Sequence, residues 1–371
     1  MDKNEIKDWS SKYVEGKLSE QEKAVFEAWY LESGEDVVIP PDEVIAKLRA
    51  EVFQNLPANR GGKFSGVFLM AAAAVAVVAF SLIIEMVFHQ SERIAGNIRR
   101  DIPPGGNRAV LTLAGGEQID LAKASTGKLT SQGNSGIVKN ASGQIIYQEE
   151  GHQKGDQAFG QNSISTPVGG IWQIRLPDGT RVWLNNSSAL SYPTSFEGKK
   201  ERTVNLNGEA YFEVARDKQH PFVVNSGDQE VRVLGTHFNV RAFRDDPLWL
   251  TTLVEGRVTV RSKMERAARD VEPGEQALND KGHFLIRPGN TADAVAWKDG
   301  YFRFANIPIE QVMRELSRWY GVEVRFDGPV PDEHLNGKIS RSKYISKVLA
   351  ALETTKIVHF KIEGRRVTVK K

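Results

Sequence analysis

The sequence predicts a multi-domain chain: a small all-α N-terminal head, a single transmembrane helix, an all-β body of sandwich or solenoid-like type, and a C-terminal α+β domain. Three observations predict it. Phe64 to Ile84 is a run of 21 residues without a charge. Thr166 to Ala277 is a series of short apolar alternations punctuated by glycine. From Trp297 the apolar spacing lengthens from a period of two to one of about 3.6.

Length and composition agree. The chain has 371 residues, 40% apolar and 26% charged, with a net charge of +2. At about 150 residues per domain this allows two or three domains. The apolar content is enough for real cores, which excludes global disorder. There is no cysteine, so disulfides, thiolate metal sites and cysteine nucleophiles are excluded. A charge this close to zero argues against a wholesale nucleic-acid binder.

The head spans residues 1–63 and carries 13 Asp/Glu against 9 Lys/Arg. Its first helix candidate, Lys3 to Glu15, places Ile6, Trp9 and Tyr13 on one stripe and ends at Gly16. Ser19 and Glu22 then have the spacing of a capping box, in which each side chain satisfies the other's free backbone N–H. The helix that follows presents Val25, Ala28 and Trp29, and a third starts at Pro40-Pro41-Asp42. A domain this small buries little core. Its aromatic side chains either pack on one another or are completed by a partner protein.

Residues 64–84 come next. At 1.5 Å per residue, Phe64 to Ile84 makes a helix of about 31 Å, the thickness of a hydrocarbon core. A cleaved signal peptide would not carry a 63-residue leader. The flanking charges are nearly balanced, with Arg60 and Lys63 before the run and Arg93, Arg99 and Arg100 after it, mixed with Glu85 and Glu92. Orientation therefore stays open on charge alone.

Residues 85–164 read as linker plus a first β segment. Gly105–Leu121 echoes Gly169–Leu184: aligning Leu113 with Leu176 also aligns Gly116 with Gly179, Ile119 with Val182, and Leu121 with Leu184. Two copies of a β-hairpin are expected, each turning on its glycine. The all-β body, 165–285, follows. Leu176-Pro177-Asp178-Gly179-Thr180 is a turn, and Val204/Leu206, Ala210/Phe212/Val214, Val231/Val233, Phe238/Val240 and Val258/Val260 alternate.

In the last domain, 297–371, Ile309, Val312, Met313, Leu316, Trp319 and Tyr320 share a helix face, ended by Gly321. Ile345, Val348, Leu349 and Leu352 form a second face, and Val358–Ile362 with Arg366–Val369 forms a hairpin. The expected order is β-α-β-β-α-β-β.

No catalytic, metal or cofactor constellation stands out, and the expectation is a non-enzyme without cofactors. There is no GxxxxGK[ST], HExxH or GxSxG motif. Glu209 and Glu213 read as a solvated strand edge and Asp245-Asp246 as a turn. Trp172, Trp183 and Trp249 have the chemistry to stack on a sugar, although a tryptophan in a β domain is usually core.

The runs TPVGGIWQIRLPDGTRVWLN, NGEAYFEVARDKQHPFVV, VLGTHFNV and TTLVEGRVTV, followed by Trp297–Phe326 and GKISR (Gly337–Arg341), give the chain a family resemblance. They resemble the FecR-family transmembrane anti-sigma factors, with an all-β FecR domain and a C-terminal domain similar to the short secretin and TonB N-terminal fold. The resemblance implies that residues 1–63 hold an extracytoplasmic-function sigma factor in the cytoplasm, with Ile6, Trp9, Tyr13, Val25 and Trp29 as candidate contacts. It implies a periplasmic body that senses the signalling domain of a TonB-dependent outer-membrane transporter, and regulated proteolysis near the membrane. It implies a single-pass inner-membrane location with the N-terminus cytoplasmic, no direct contact with nucleic acid and no catalytic residues. A membrane-anchored periplasmic carbohydrate-binding protein and an envelope scaffold are the alternatives.

Overall fold

The computed structural model describes residues 101–132, 135–149, 160–262, 264 and 268–371. It corrects the expected fold class. The described chain is mostly β, with only three short helices, and 19 of its strands join in one hydrogen-bonded network. Among the described residues no helix is long and apolar enough to cross a membrane. The helical head expected over 1–63, with Ile6, Trp9, Tyr13, Val25 and Trp29, lies outside the described residues, as does the run with ends Phe64 and Ile84. The physical reason for the β network's size is pairing across the expected boundaries. Val110–Thr112 pairs with Gln161–Ser165, and Gly106–Asn107 runs parallel to Gly170–Ile171. The described residues fall in one compact unit.

The network curls into two layers. In the first, Val110–Thr112, Gln161–Ser165, Ala189–Pro193 and the N-terminal half of Arg202–Glu213 lie side by side. Phe222–Ser226, Gln229–Val233, Val258–Ser262 and Ala268–Val271 continue it. In the second, Gly170–Arg175, Arg181–Leu184, the C-terminal half of Arg202–Glu213, His237–Ala242, Trp249–Glu255, Glu275–Asp280 and His283–Pro288 follow one another.

One strand therefore serves both layers. Asn207 pairs with Ala189 in the first, and Gly208 pairs with Ala242 in the second. Gly208 is the corner: its φ is +100°, and a Cβ there would stand 2.5 Å from Ser188 Oγ. Only glycine meets both demands cheaply. Inward side chains from the two layers meet between them. The Phe212 ring stacks on Phe238 at 5.1 Å and meets Phe222 of the first layer at 6.1 Å. Each such buried side chain contributes about 1.5–3 kcal/mol through area removed from water.

The repeated hairpin is present in both copies. Leu113 N donates to Glu117 O at 2.8 Å and Gly116 N to Leu113 O at 2.8 Å. In the second copy Leu176 N donates to Thr180 O at 2.8 Å and Gly179 N to Leu176 O at 2.9 Å. The two glycines have φ of +87° and +86°.

The C-terminal module has its own core. Tyr301–Pro308 pairs with His334–Ser340, and Glu323–Phe326, Arg366–Lys370 and His359–Glu363 form a second small sheet. The helix Ile309–Tyr320 buries Ile309, Val312, Met313, Leu316, Trp319 and Tyr320. Gly321 caps it in the left-handed conformation, donating to Ser317 O at 2.8 Å. The second helix, Ile345–Glu353, buries Ile345, Val348, Leu349 and Leu352.

Candidate interaction surface

The module is held on the outer face of the second layer by a buried polar junction. Glu209, on the strand Arg202–Glu213, is only 5% exposed. Asn185 Nδ2 donates to its Oε2 at 2.8 Å, and Asn239 Nδ2 to its Oε1 at 2.9 Å. Trp297 Nε1 donates to Asn239 Oδ1 at 3.1 Å. Arg341 Nη2 donates to Asn185 Oδ1 at 3.0 Å, while its guanidinium lies 3.9 Å from the centre of the Trp319 ring. Burial pushes the Glu209 carboxyl above its ordinary range, against the pull of Arg241, Asn239 and Asn185. Burial also lowers Arg341 to about 10.

Beside this network lies an ion cluster. Arg241 Nε contacts Asp246 Oδ2 at 2.8 Å, and Arg241 Nη1 contacts Glu315 Oε1 at 2.6 Å. Arg318 Nη2 reaches Asp246 Oδ1 at 2.6 Å and Asp245 Oδ2 at 2.8 Å. Burial opposes ionisation of Asp246, but Arg241 and Arg318 outweigh it and hold the carboxyl below its ordinary range. Paired charges of this kind are costly to break, because removing one partner leaves the other buried alone. Backbone bonds complete the joint: Gly169 N donates to Arg318 O at 2.9 Å.

Two sequence expectations change here. Glu209 is not on a solvated edge, and Asp246 does more than end a turn. Both lie under the C-terminal module, so the outer face of the sheet is covered where a free sandwich would be wet. The strand's burial pattern shows the covering directly. Glu209 sits in Gly208–Phe212, five consecutive buried residues where a half-exposed strand would alternate. Another buried pair was also missed: Arg202 Nη1 meets Asp178 Oδ2 at 2.8 Å beneath the Leu176–Thr180 turn. Glu213, by contrast, is ion-paired with the exposed side chain of Arg181.

The tryptophans divide by role. Trp172 belongs to the core between the layers. Trp249 is packed over Gly227 and donates to Phe243 O at 3.0 Å. Trp183 is half-buried on the outward face, between Gln173 and Tyr211 of the neighbouring strands.

For contact with another protein, the module offers open strand edges. His359–Glu363 pairs on one side only, with Arg366–Lys370, and most of it is exposed. Phe360 N donates to Glu353 Oε1 at 2.6 Å, which marks its amide as pointing away from the paired strand. By strand alternation the Ile362 amide points the same way. Ile362 is 37% exposed. Beyond the Phe360 amide, which Glu353 already occupies, an edge without a neighbouring strand is a template for an added one.

Comparison with known proteins bears on these surfaces. The FecR protein family profile matches residues 162–259, and the FecR, C-terminal profile matches residues 301–369. No curated protein matches the chain. Two crystal structures of a candidate anti-sigma factor from Parabacteroides distasonis ATCC 8503, at 1.65 and 2.50 Å resolution, are similar to it. Both superpose with a TM-score of 0.53 at 32% identity. The first match covers 56% of this chain and 98% of the solved one; the second covers 57% and 99%. With both family domains present in order, and 32% identity over nearly the full length of the solved relative, the chain belongs to the FecR family.

Proposed function

We propose that this chain is an anti-sigma factor, a regulator of transcription rather than a catalyst. The carrying observation is the 32% identity to the Parabacteroides candidate anti-sigma factor across 98% of that chain. In this reading residues 1–63 sequester an extracytoplasmic-function sigma factor. The acidic balance of that stretch suits the basic surfaces with which sigma factors engage nucleic acid. Ile6, Trp9, Tyr13, Val25 and Trp29 supply apolar anchors. The chain is held at the inner membrane through residues 64–84, with its N-terminus in the cytoplasm and residues 101–371 in the periplasm.

The periplasmic body receives its signal from the signalling domain of a TonB-dependent outer-membrane transporter. The open edge His359–Glu363 accepts a strand from that domain, and the buried junction carries the resulting displacement into the β body. A transcriptional reporter driven by the cognate sigma factor tests the reading. Deleting the chain changes reporter output and removes its response to the transporter's substrate. A reporter that responds identically with and without the chain contradicts it.

A further inference from the structure

A cleft of about 240 Å³ opens where the outward face of the second layer meets the connector before the C-terminal module. Its wall carries Trp183, Gln173, Gln144 and Lys298; Trp297 lies deeper and Asn107 stands at the rim. The amides form a directed chain. Asn140 Nδ2 donates to Gln144 Oε1 at 3.2 Å, and Gln144 Nε2 donates to Gln173 Oε1 at 2.6 Å. That chain uses the Gln173 acceptor and ends at the Gln173 amide nitrogen; Gln173 is the cross-strand neighbour of Trp183. Tyr211 meets Trp183 edge to face at 5.7 Å and fixes its ring. The Lys298 ammonium stands 5.4 Å from the Trp183 ring centre and 3.1 Å from Asp299 Oδ1.

These groups select a class of ligand. A strong anion is disfavoured, because the cation on the wall already has a carboxylate partner. A purely apolar molecule would leave the last donor of the chain, the Gln173 amide nitrogen, without a partner. A six-membered sugar ring satisfies both halves: its C–H groups pack against the part of the indole that the Lys298 and Arg181 cations, 5.4 and 5.8 Å from the ring centre, leave open, and its hydroxyls both donate and accept at amides. The volume suits about one such ring.

We propose that this cleft is a binding site for a hexopyranose, as a free monosaccharide or as the terminal residue of a glycan. The proposal does not rest on the anti-sigma reading. The site would let the FecR body respond to a sugar directly, in addition to any protein partner.

The test uses the full chain, solubilised without sugar-based detergent. Glucose, galactose and N-acetylglucosamine, and their methyl β-glycosides, are titrated by ligand-observed saturation-transfer NMR. Saturable binding with a dissociation constant of order ~1 mM is expected for at least one probe, given about a dozen ligand heavy atoms. Binding of both forms of a sugar assigns the site to chain ends; binding of the free sugar alone assigns it to monosaccharides. Trp183→Ala and Gln173→Leu should each weaken binding at least about tenfold, and Trp249→Phe should not. Gln173→Leu keeps the aromatic pair, so it remains informative if Trp183→Ala unfolds. Absence of saturable binding by every probe, or binding unchanged in both cleft variants, overturns the proposal.

Discussion

Arg318 Nη2 donates to Asp246 Oδ1 at 2.6 Å, tying the first helix of the C-terminal module to the segment that leaves the strand His237–Ala242. The bond joins residues from the two family domains, since residue 246 falls in one matched region and residue 318 in the other. Asp246 is also the partner of Arg241, which itself holds Glu315 of the same helix. A partner that pulls on the module therefore pulls on the sheet.

Asp246→Ala should strip both arginines of a buried counter-charge. The expected cost is about 3 kcal/mol in urea unfolding, in the range for breaking a buried pair. The folded carboxyl titrates below its ordinary value. Its contribution is therefore complete above about pH 4 and is lost as pH falls through the folded pKa. Hydrogen exchange should show faster opening of the helix Ile309–Tyr320 in the variant. Unchanged exchange in that helix would mean the cluster does not couple the two parts.

Glu209 should show the opposite sign. Its carboxyl is pushed up by burial, so the protonated form fits the folded state better than the unfolded one. That contribution is complete below its ordinary value of about 4.5 and is lost as pH rises through the folded pKa. Relative to Glu209→Gln, the wild-type chain should be more stable at pH 4 than at pH 7. Urea midpoints at the two pH values check this, and a larger wild-type advantage at pH 7 would contradict it.

Gly208→Ala should damage the corner where the long strand changes layer. The new Cβ would meet Ser188 Oγ at 2.5 Å and Ser188 Cα at 2.8 Å, at a φ of +100°. A cost of roughly 2 kcal/mol or more is expected from strain and displacement together. Gly116→Ala has a similar φ of +87° but open space around it, so it should cost less, about 1 kcal/mol. Thermal midpoints of the two variants should fall in that order.

Ile362→Pro should block strand addition at the open edge without dissolving the module. The lost amide points away from Arg366–Lys370, so the internal ladder keeps its bonds. Reporter signalling through the transporter should disappear while the circular dichroism spectrum stays unchanged. Intact signalling would move the contact away from this edge.

Much of this was legible because local rules dominate. The faces of both C-terminal helices follow from the spacing of Ile309 to Tyr320 and of Ile345 to Leu352. The paired turns at Gly116 and Gly179 follow from a repeated pattern. What the sequence hid was the second covering of one sheet face. Burial of Glu209, Asn239 and Asp246 depends on a module that begins dozens of residues later, and no local periodicity encodes a long-range contact. The site at Trp183 was half legible. Its residue type suggested stacking, but only the fold sets Gln144, Gln173 and Lys298 beside it, while Trp172, which also lines the cleft, is committed to the core and Trp249 is packed over Gly227.

The central claim is tested most directly by co-purification. The full chain, tagged at its C-terminus, is isolated from native membranes and its partners are identified by mass spectrometry. The account predicts one small sigma factor in stoichiometric amount, lost when Trp29 is changed to Asp and retained in Ile362→Pro. A folded chain that recovers no sigma factor would contradict it.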